Sequence, residues 1–131
     1  MNNNAENQIE MIIEPGHDEY DRNDQRWIQQ INQLYSDLNS ELGTVRKDVT
    51  PQEGQKGGLE SIIIALGSAG VITAAVEIIK AWLGRDRGRH ITFKAKVGEE
   101  VQELSISGQG MNASQIEKFM REAMKKSGPK N

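Results

Sequence analysis

An uncharged apolar stretch in the middle of the chain most constrains what this sequence can fold into. No charged residue occurs between Glu60 and Glu77, and the apolar character continues to Leu83 before Gly84. A run of this length predicts one apolar helix over Leu59 to Leu83. Because exposing so much apolar surface to water is unfavourable, either the rest of the fold or a lipid bilayer must cover this helix.

The length of the run favours the first of these two interpretations. The 16 residues from Ser61 to Val76 would span roughly 24 Å at about 1.5 Å per residue, whereas a bilayer core is about 30 Å thick. A central core helix is therefore the leading interpretation. In the alternative, Leu59 to Leu83 inserts into or anchors at a membrane, with Trp82 and the following arginines at the interface.

The flanking segments predict an α+β fold with a small, largely antiparallel sheet and helices stacked on it. Alternating apolar residues predict four strands, the second of them weak: Gln8 to Glu14, Thr44 to Val49, Ile91 to Val97 and Val101 to Ser107. Apolar spacings of three and four predict a helix from Asp24 to Leu42 and a last helix that begins at a capping box of Ser114 and Glu117. The predicted order is β-α-(β)-α-β-β-α.

The chain of 131 residues has the size of one domain. We expect a single domain over residues 8–127, between a disordered tail at 1–7 and a short tail at 128–131. Residues 50–58 contain Pro51 and three glycines, which predicts a flexible connector. The start of the chain lacks the basic and apolar segments of a secretory signal, and cysteine is absent, so we expect a cytoplasmic protein.

Catalytic and metal-binding patterns are missing from the sequence. Without cysteine, and with His17 and His90 as the two histidines, nothing indicates a nucleophile pair, and no metal-ligand spacing is present. We therefore predict no enzyme, no cofactor and no metal site. The net charge of -3 and the scattered aromatic residues also disfavour binding to nucleic acid.

Two local features are candidates for contact with a partner. Gly67 and Gly70 lie in a run of small residues, which permits close packing either inside the fold or against another chain. Arg85, Arg87 and Arg89 follow the apolar helix, where they either grip an acidic group or offset the dipole of the helix C-terminus.

The same features carry a resemblance to a known family. The sequence Leu66-Gly67-Ser68-Ala69-Gly70, the later pair Trp82-Leu83 and the arginine-rich turn from Arg85 to Arg89 resemble the bacterial effector-associated constant component family. Its pattern contains a Leu-Gly-Ser-small-Gly apolar helix, a Trp-Leu ending and an arginine-rich turn before a strand. The order of the flanking elements, from Gln8 to Lys126, is also similar.

The resemblance implies a non-enzymatic component of bacterial conflict or immune systems. Members of the family are encoded beside variable effectors, such as caspase-like or trypsin-like proteases and NTPases, which they would couple. The implied function is an adaptor that binds an effector or sensor protein encoded nearby, with a homo-oligomer as a further candidate partner. The residues that match the family pattern, and are the candidate interaction residues, are Gly67, Gly70, Trp82, Arg85, Arg87 and Arg89.

Overall fold

A computed structural model of the protein describes residues 9–51, 58–97, 99–108 and 113–127. In these ranges the elements are β1 (Ile9–His17), α1 (Gln25–Leu42), β2 (Val45–Pro51), β3 (Gly58–Leu66), α2 (Ala69–Gly84), β4 (Arg89–Val97), β5 (Glu100–Ser107) and α3 (Ala113–Ser127). The predicted α+β class is confirmed. Both predicted tails and most of the predicted connector at 50–58 lie outside the described residues, and the domain boundaries stay a prediction.

The strands form one antiparallel sheet in the order β2-β3-β1-β4-β5. Side chains alternate along the central strand β1, where Met11 and Ile13 are fully buried and Glu10 is exposed. This alternation of period two places one face of the sheet against the helices. The helices cover that face with buried apolar residues, among them Trp27, Leu34, Leu38, Ile72, Ile79, Ile116 and Met120.

The single apolar helix predicted over Leu59 to Leu83 is wrong, because the run contains two elements. β3 ends at Leu66 and α2 begins at Ala69. β3 pairs with β1 on one side and β2 on the other, and Ile62, Ile63 and Ile64 are all buried. A strand buried on both faces carries an unbroken apolar run, which periodicity cannot distinguish from a buried helix.

α2 begins at a serine cap. The backbone of Ser68 is extended, and its hydroxyl accepts a hydrogen bond from the backbone N–H of Val71 at 3.3 Å, as is typical of a helix N-cap. The described part of the chain contains no helix that is both long enough and apolar enough to cross a membrane. The alternative interpretation, a helix from Leu59 to Leu83 that inserts into a membrane, is therefore wrong. The segment instead forms a strand and a 16-residue helix, and both contribute residues to the core.

The observed ends of three elements can be compared with the predicted ones. β1 continues through Pro15 and Gly16 to His17, whereas the strand was predicted to end before them. α1 is confirmed, with Asp24 as its N-cap and Gly43 as a left-handed C-cap at φ 74°. α3 begins at Ala113, one residue before the predicted cap Ser114. Glu117 accepts a hydrogen bond from Arg121 Nε at 2.8 Å.

Candidate functional site

Trp82 and Arg89 form a packed pair at the end of α2. Trp82 is 1% exposed, and its indole N–H donates to the backbone carbonyl of Gln30 at 3.2 Å. The Arg89 guanidinium lies 4.3 Å from the centre of the Trp82 ring. Its Nε and Nη2 both donate to the side-chain oxygen of Gln30, at 3.1 Å and 2.9 Å, and Nη1 donates to the Trp82 carbonyl.

These contacts connect α1, α2 and β4 through one cation–π stack and a set of hydrogen bonds. Burial lowers the pKa of Arg89 from its usual value, since removing the guanidinium from water disfavours its charge. The Arg89 side chain therefore makes its contacts within the fold. Its role is structural, although the sequence predicted it as a candidate for binding a partner.

Arg85 and Arg87 have the opposite environment. Both side chains are exposed, and neither forms an ion pair with any residue that the structure describes. Arg85 is the C-cap residue of α2 and also lines a groove of about 370 Å³ between α1 and α2, whose other charged residues are Asp37, Glu41 and Glu77. Both cations are available to a partner.

Gly67 and Gly70 are exposed at the other end of α2. Gly67 precedes the helix, and Gly70 lies in its first turn. A Cβ atom added at Gly70 would meet only the Ser68 hydroxyl, at 3.8 Å. The interpretation that these glycines allow close packing inside the fold is therefore not supported at Gly70, and contact with another chain stays a prediction.

The structure does not bring the six candidate residues into one site. α2 has 16 residues, so its two ends lie roughly 24 Å apart at about 1.5 Å per residue. The glycines mark one end, the exposed arginines mark the other, and Trp82 with Arg89 is internal. The turn after α2 is the place where exposed and buried candidates meet.

A histidine–carboxylate contact that sequence reasoning missed holds this turn in place. His17 Nε2 lies 3.0 Å from Asp86 Oδ2, while His17 Nδ1 accepts a hydrogen bond from the backbone N–H of Glu19 at 3.0 Å. The imidazole packs against Tyr20 and Trp27, with ring centres 4.6 Å and 5.3 Å away. With Nδ1 accepting, Nε2 is the ring nitrogen that donates to Asp86.

Asp86 also organises its own turn. Its Oδ1 accepts a hydrogen bond from the backbone N–H of Gly88 at 2.9 Å, and the Gly88 carbonyl accepts one from the backbone N–H of Asp18 at 2.9 Å. A Cβ atom at position 88 would lie 2.6 Å from His17 Cε1, so the glycine makes room for the imidazole. An Asp with a Gly two residues later is a typical turn signal, but its partner His17 is 69 residues away.

Comparison with known families decides where this fold belongs. The model of the family Effector Associated Constant Component 1 matches residues 23–123. The chain belongs to this family. No curated protein and no solved structure matches the chain.

The match to Effector Associated Constant Component 1 runs from just before α1 into α3. It includes all six candidate residues and Asp86, but it begins after β1 and therefore leaves out His17. The resemblance to the effector-associated constant component family is confirmed. In this family member, the matched Trp82 and Arg89 build the end of α2, while the matched Arg85 and Arg87 are presented to solvent.

A cavity of about 590 Å³ lies beside the His17 contact in this Effector Associated Constant Component 1 protein. Both histidines, Tyr20 and Arg22 line it, as does the carboxylate of Glu14. Glu14 is already paired with Lys94, with Nζ and Oε2 3.2 Å apart. The described residues contain no group of three or more acidic or histidine side chains placed to hold a metal ion.

The charge of Asp86 should make stability depend on pH. The pKa of Asp86 lies below its ordinary value, mainly because His17 donates a hydrogen bond to it and also because of the Gly88 N–H. A carboxyl group with a depressed folded pKa stabilises the fold above its unfolded pKa of about 3.9, and this contribution is lost as the pH falls through the folded value. Asp86→Asn should therefore lower the Tm at neutral pH.

The Tm of both proteins measured across the acidic range tests this expectation. The difference between wild type and Asp86→Asn should shrink as the pH falls below the ordinary range of a carboxyl group. A difference that stays constant down to the lowest pH at which the protein folds would contradict an ionic role for Asp86.

Proposed function

We propose that this protein is a non-enzymatic adaptor of a bacterial conflict system that binds a partner effector and couples its activation. The observation that carries the proposal is the family match over residues 23–123, since the family is described as a constant component associated with effectors. The partner is an effector or sensor protein encoded nearby, of the caspase-like, trypsin-like or NTPase kind. The proposal includes a cytoplasmic location and a homo-oligomer as the binding unit.

The contacts of the chemically versatile residues support a role in binding. Both ring nitrogens of His17 form hydrogen bonds within the chain, which supports a structural role for this imidazole. The Arg89 guanidinium is committed to Gln30 and Trp82. His17 and Arg89 thus serve the packing of the fold.

The turn after α2 is the surface that we propose for the effector. Arg85 and Arg87 are exposed there, while the backbone around them is held by Asp86 to Gly88 and His17. Because this backbone is already fixed, binding through these cations orders little additional backbone, which favours affinity for an acidic surface. The groove between α1 and α2 does not belong to this surface, because Arg85 is its one basic residue beside Asp37, Glu41 and Glu77.

Charge reversal at this turn should weaken effector binding. Arg85→Glu combined with Arg87→Glu should weaken co-purification with the effector encoded by a neighbouring gene at least about tenfold, because like charges across an interface are strongly unfavourable. Lys80→Glu is the matched control, since Lys80 is exposed on α2 and lies outside the turn. Binding is measured by titration of the purified proteins.

Two outcomes would contradict parts of this proposal. Unchanged binding of the arginine variant would exclude the turn as the contact, and Gly67→Leu then tests the opposite end of α2. If no protein encoded nearby binds the wild-type chain, the adaptor function itself is wrong.

A further inference from the structure

β2 is an edge strand with an apolar side chain exposed to solvent. Among the described residues β2 pairs with β3 alone and stands at one end of the sheet. Val49 on this strand is 53% exposed, although it is a large apolar residue. An edge strand presents unpaired backbone N–H and C=O groups, which a strand of another chain can satisfy.

The side chains of β2 alternate between the two faces of the sheet. Lys47 lies on the helix side, where its ammonium donates to Asn32 of α1 and lies 5.4 Å from the centre of the Tyr35 ring. Val45 and Val49 share that side because strand side chains repeat with period two. Arg46 and Asp48 lie on the opposite face, where Arg46 forms two hydrogen bonds to Glu10, at 2.7 Å and 3.2 Å.

We propose that two copies of this chain pair antiparallel along β2, with the two-fold axis at Lys47. This register places Arg46 opposite the partner's Asp48, and the two-fold axis repeats the pair. On the helix side it places Val49 opposite the partner's Val45, so the exposed valine is covered. The result is a continuous ten-stranded sheet, from two sheets of five strands, with all the helices on the same side.

Only a two-fold axis at Lys47 places Arg46 opposite Asp48, and this pair is the one opposite-charge pairing that two antiparallel copies of β2 can form. A two-fold axis at Arg46 would place that arginine against its own copy, and an axis at Asp48 would place two carboxylates together. Directly opposite like charges destabilise a strand pair, and opposite charges stabilise it. The two lysines that meet at the proposed axis are drawn away from each other, because each ammonium is bound to Asn32 and Tyr35 of its own α1.

The other edge strand, β5, also exposes a valine, Val101 at 58%, but it lacks this complementarity of charge. The charged residues of β5 are Glu100 and Glu103, and the strand contains no basic residue. Two copies of β5 therefore have no opposite charges to match. Charged residues on an edge strand often keep proteins apart, but on β2 their order makes a two-fold pairing attractive.

The proposed dimer specifies the homo-oligomer of the proposed function. The evidence for it comes from β2 alone. The test uses the purified full chain without any effector. A dimer without effector binding would leave this inference standing, and effector binding by a monomer would leave the adaptor function standing.

Crosslinking through one introduced cysteine tests the register directly, because the natural chain has no cysteine. Residues opposite each other in an antiparallel pair have Cα atoms about 4.5–5.5 Å apart, which suits a disulfide. Lys47→Cys should therefore form a disulfide-linked dimer under mild oxidation. Val49→Cys, whose copies lie apart in this register, should crosslink at least about tenfold more slowly because its thiols are not held together.

Glu103→Cys on β5 and Ser36→Cys on the exposed face of α1 control for pairing at the other edge and for random collision. Faster crosslinking of Glu103→Cys than of Lys47→Cys would overturn the proposal in favour of pairing through β5. Equal rates for all four variants would overturn it in favour of collision between monomers.

Sedimentation equilibrium gives a second, independent measurement. The wild-type chain should sediment as a dimer, and Asp48→Arg should shift it towards monomer because each Arg46 would then face an arginine. The double variant Arg46→Asp with Asp48→Arg restores opposite charges and should restore the dimer. A wild-type monomer, or a larger assembly that Asp48→Arg does not change, would overturn the proposal.

Discussion

Replacing Trp82 with alanine should lower the free energy of unfolding by about 3–5 kcal/mol, a large part of the stability of a domain this size. The indole is 1% exposed and packs against Trp27, with ring centres 5.8 Å apart. Its removal leaves a cavity in the core. It also takes away the ring on which Arg89 stacks and the indole N–H donor to the Gln30 carbonyl.

Urea denaturation followed by fluorescence measures this effect, because Trp27 remains as a reporter in the variant. Trp82→Phe is the control: it keeps an aromatic ring beneath Arg89 but lacks the N–H donor, so it should be clearly more stable than Trp82→Ala. If Trp82→Ala unfolds within about 1 kcal/mol of wild type, a value typical of losing one hydrogen bond, the packing role assigned to this residue is wrong.

Local patterns in the sequence were sufficient for elements whose two faces differ. α1 combines apolar residues on one face with an Asp24 cap and a Gly43 stop, and β4 alternates buried Phe93 and Ala95 with polar neighbours. In both elements one side faces water, so apolar and polar residues alternate in the sequence with the period of the helix or the strand. The strand and the helix were therefore predicted within one or two residues.

The apolar run from Leu59 to Leu83 shows where such patterns fail. β3 pairs with a strand on each side and packs against the core. Its isoleucines therefore do not alternate with polar residues, and the two-residue period of a strand is not visible in the sequence. Two local signals were nevertheless present: the three consecutive β-branched isoleucines at 62–64 are typical of a strand, and Ser68 is a typical N-cap.

The roles of the candidate residues depended on contacts that no local pattern contains. Arg85, Arg87 and Arg89 look alike in sequence, yet only Arg89 meets Gln30, which is 59 residues away. The contact between His17 and Asp86 spans 69 residues. Composition identified a basic turn, but only the fold separates the half-buried Arg89 from the two exposed arginines.

Gly108 supports the same turn from the end of β5, and its replacement by alanine should destabilise the protein by about 1–3 kcal/mol. A Cβ atom there would lie 2.8 Å from the carbonyl oxygens of both Leu83 and Asp86. These are backbone atoms held by the hydrogen bonds of the turn, from Asp86 N–H to Leu83 and from Arg89 N–H to Asp86. They cannot move aside as a flexible side chain would.

The matched control for this substitution is Gly70→Ala, in which the same methyl group is added to a different glycine. The new methyl group would meet only the Ser68 hydroxyl at 3.8 Å, and alanine is favoured over glycine in a helix by up to about 1 kcal/mol. Thermal and urea unfolding of both variants should therefore give a lower stability for Gly108→Ala and an equal or higher one for Gly70→Ala. Equal losses at both positions would mean that the close approach of β5 to the turn after α2 does not determine the choice of glycine at position 108.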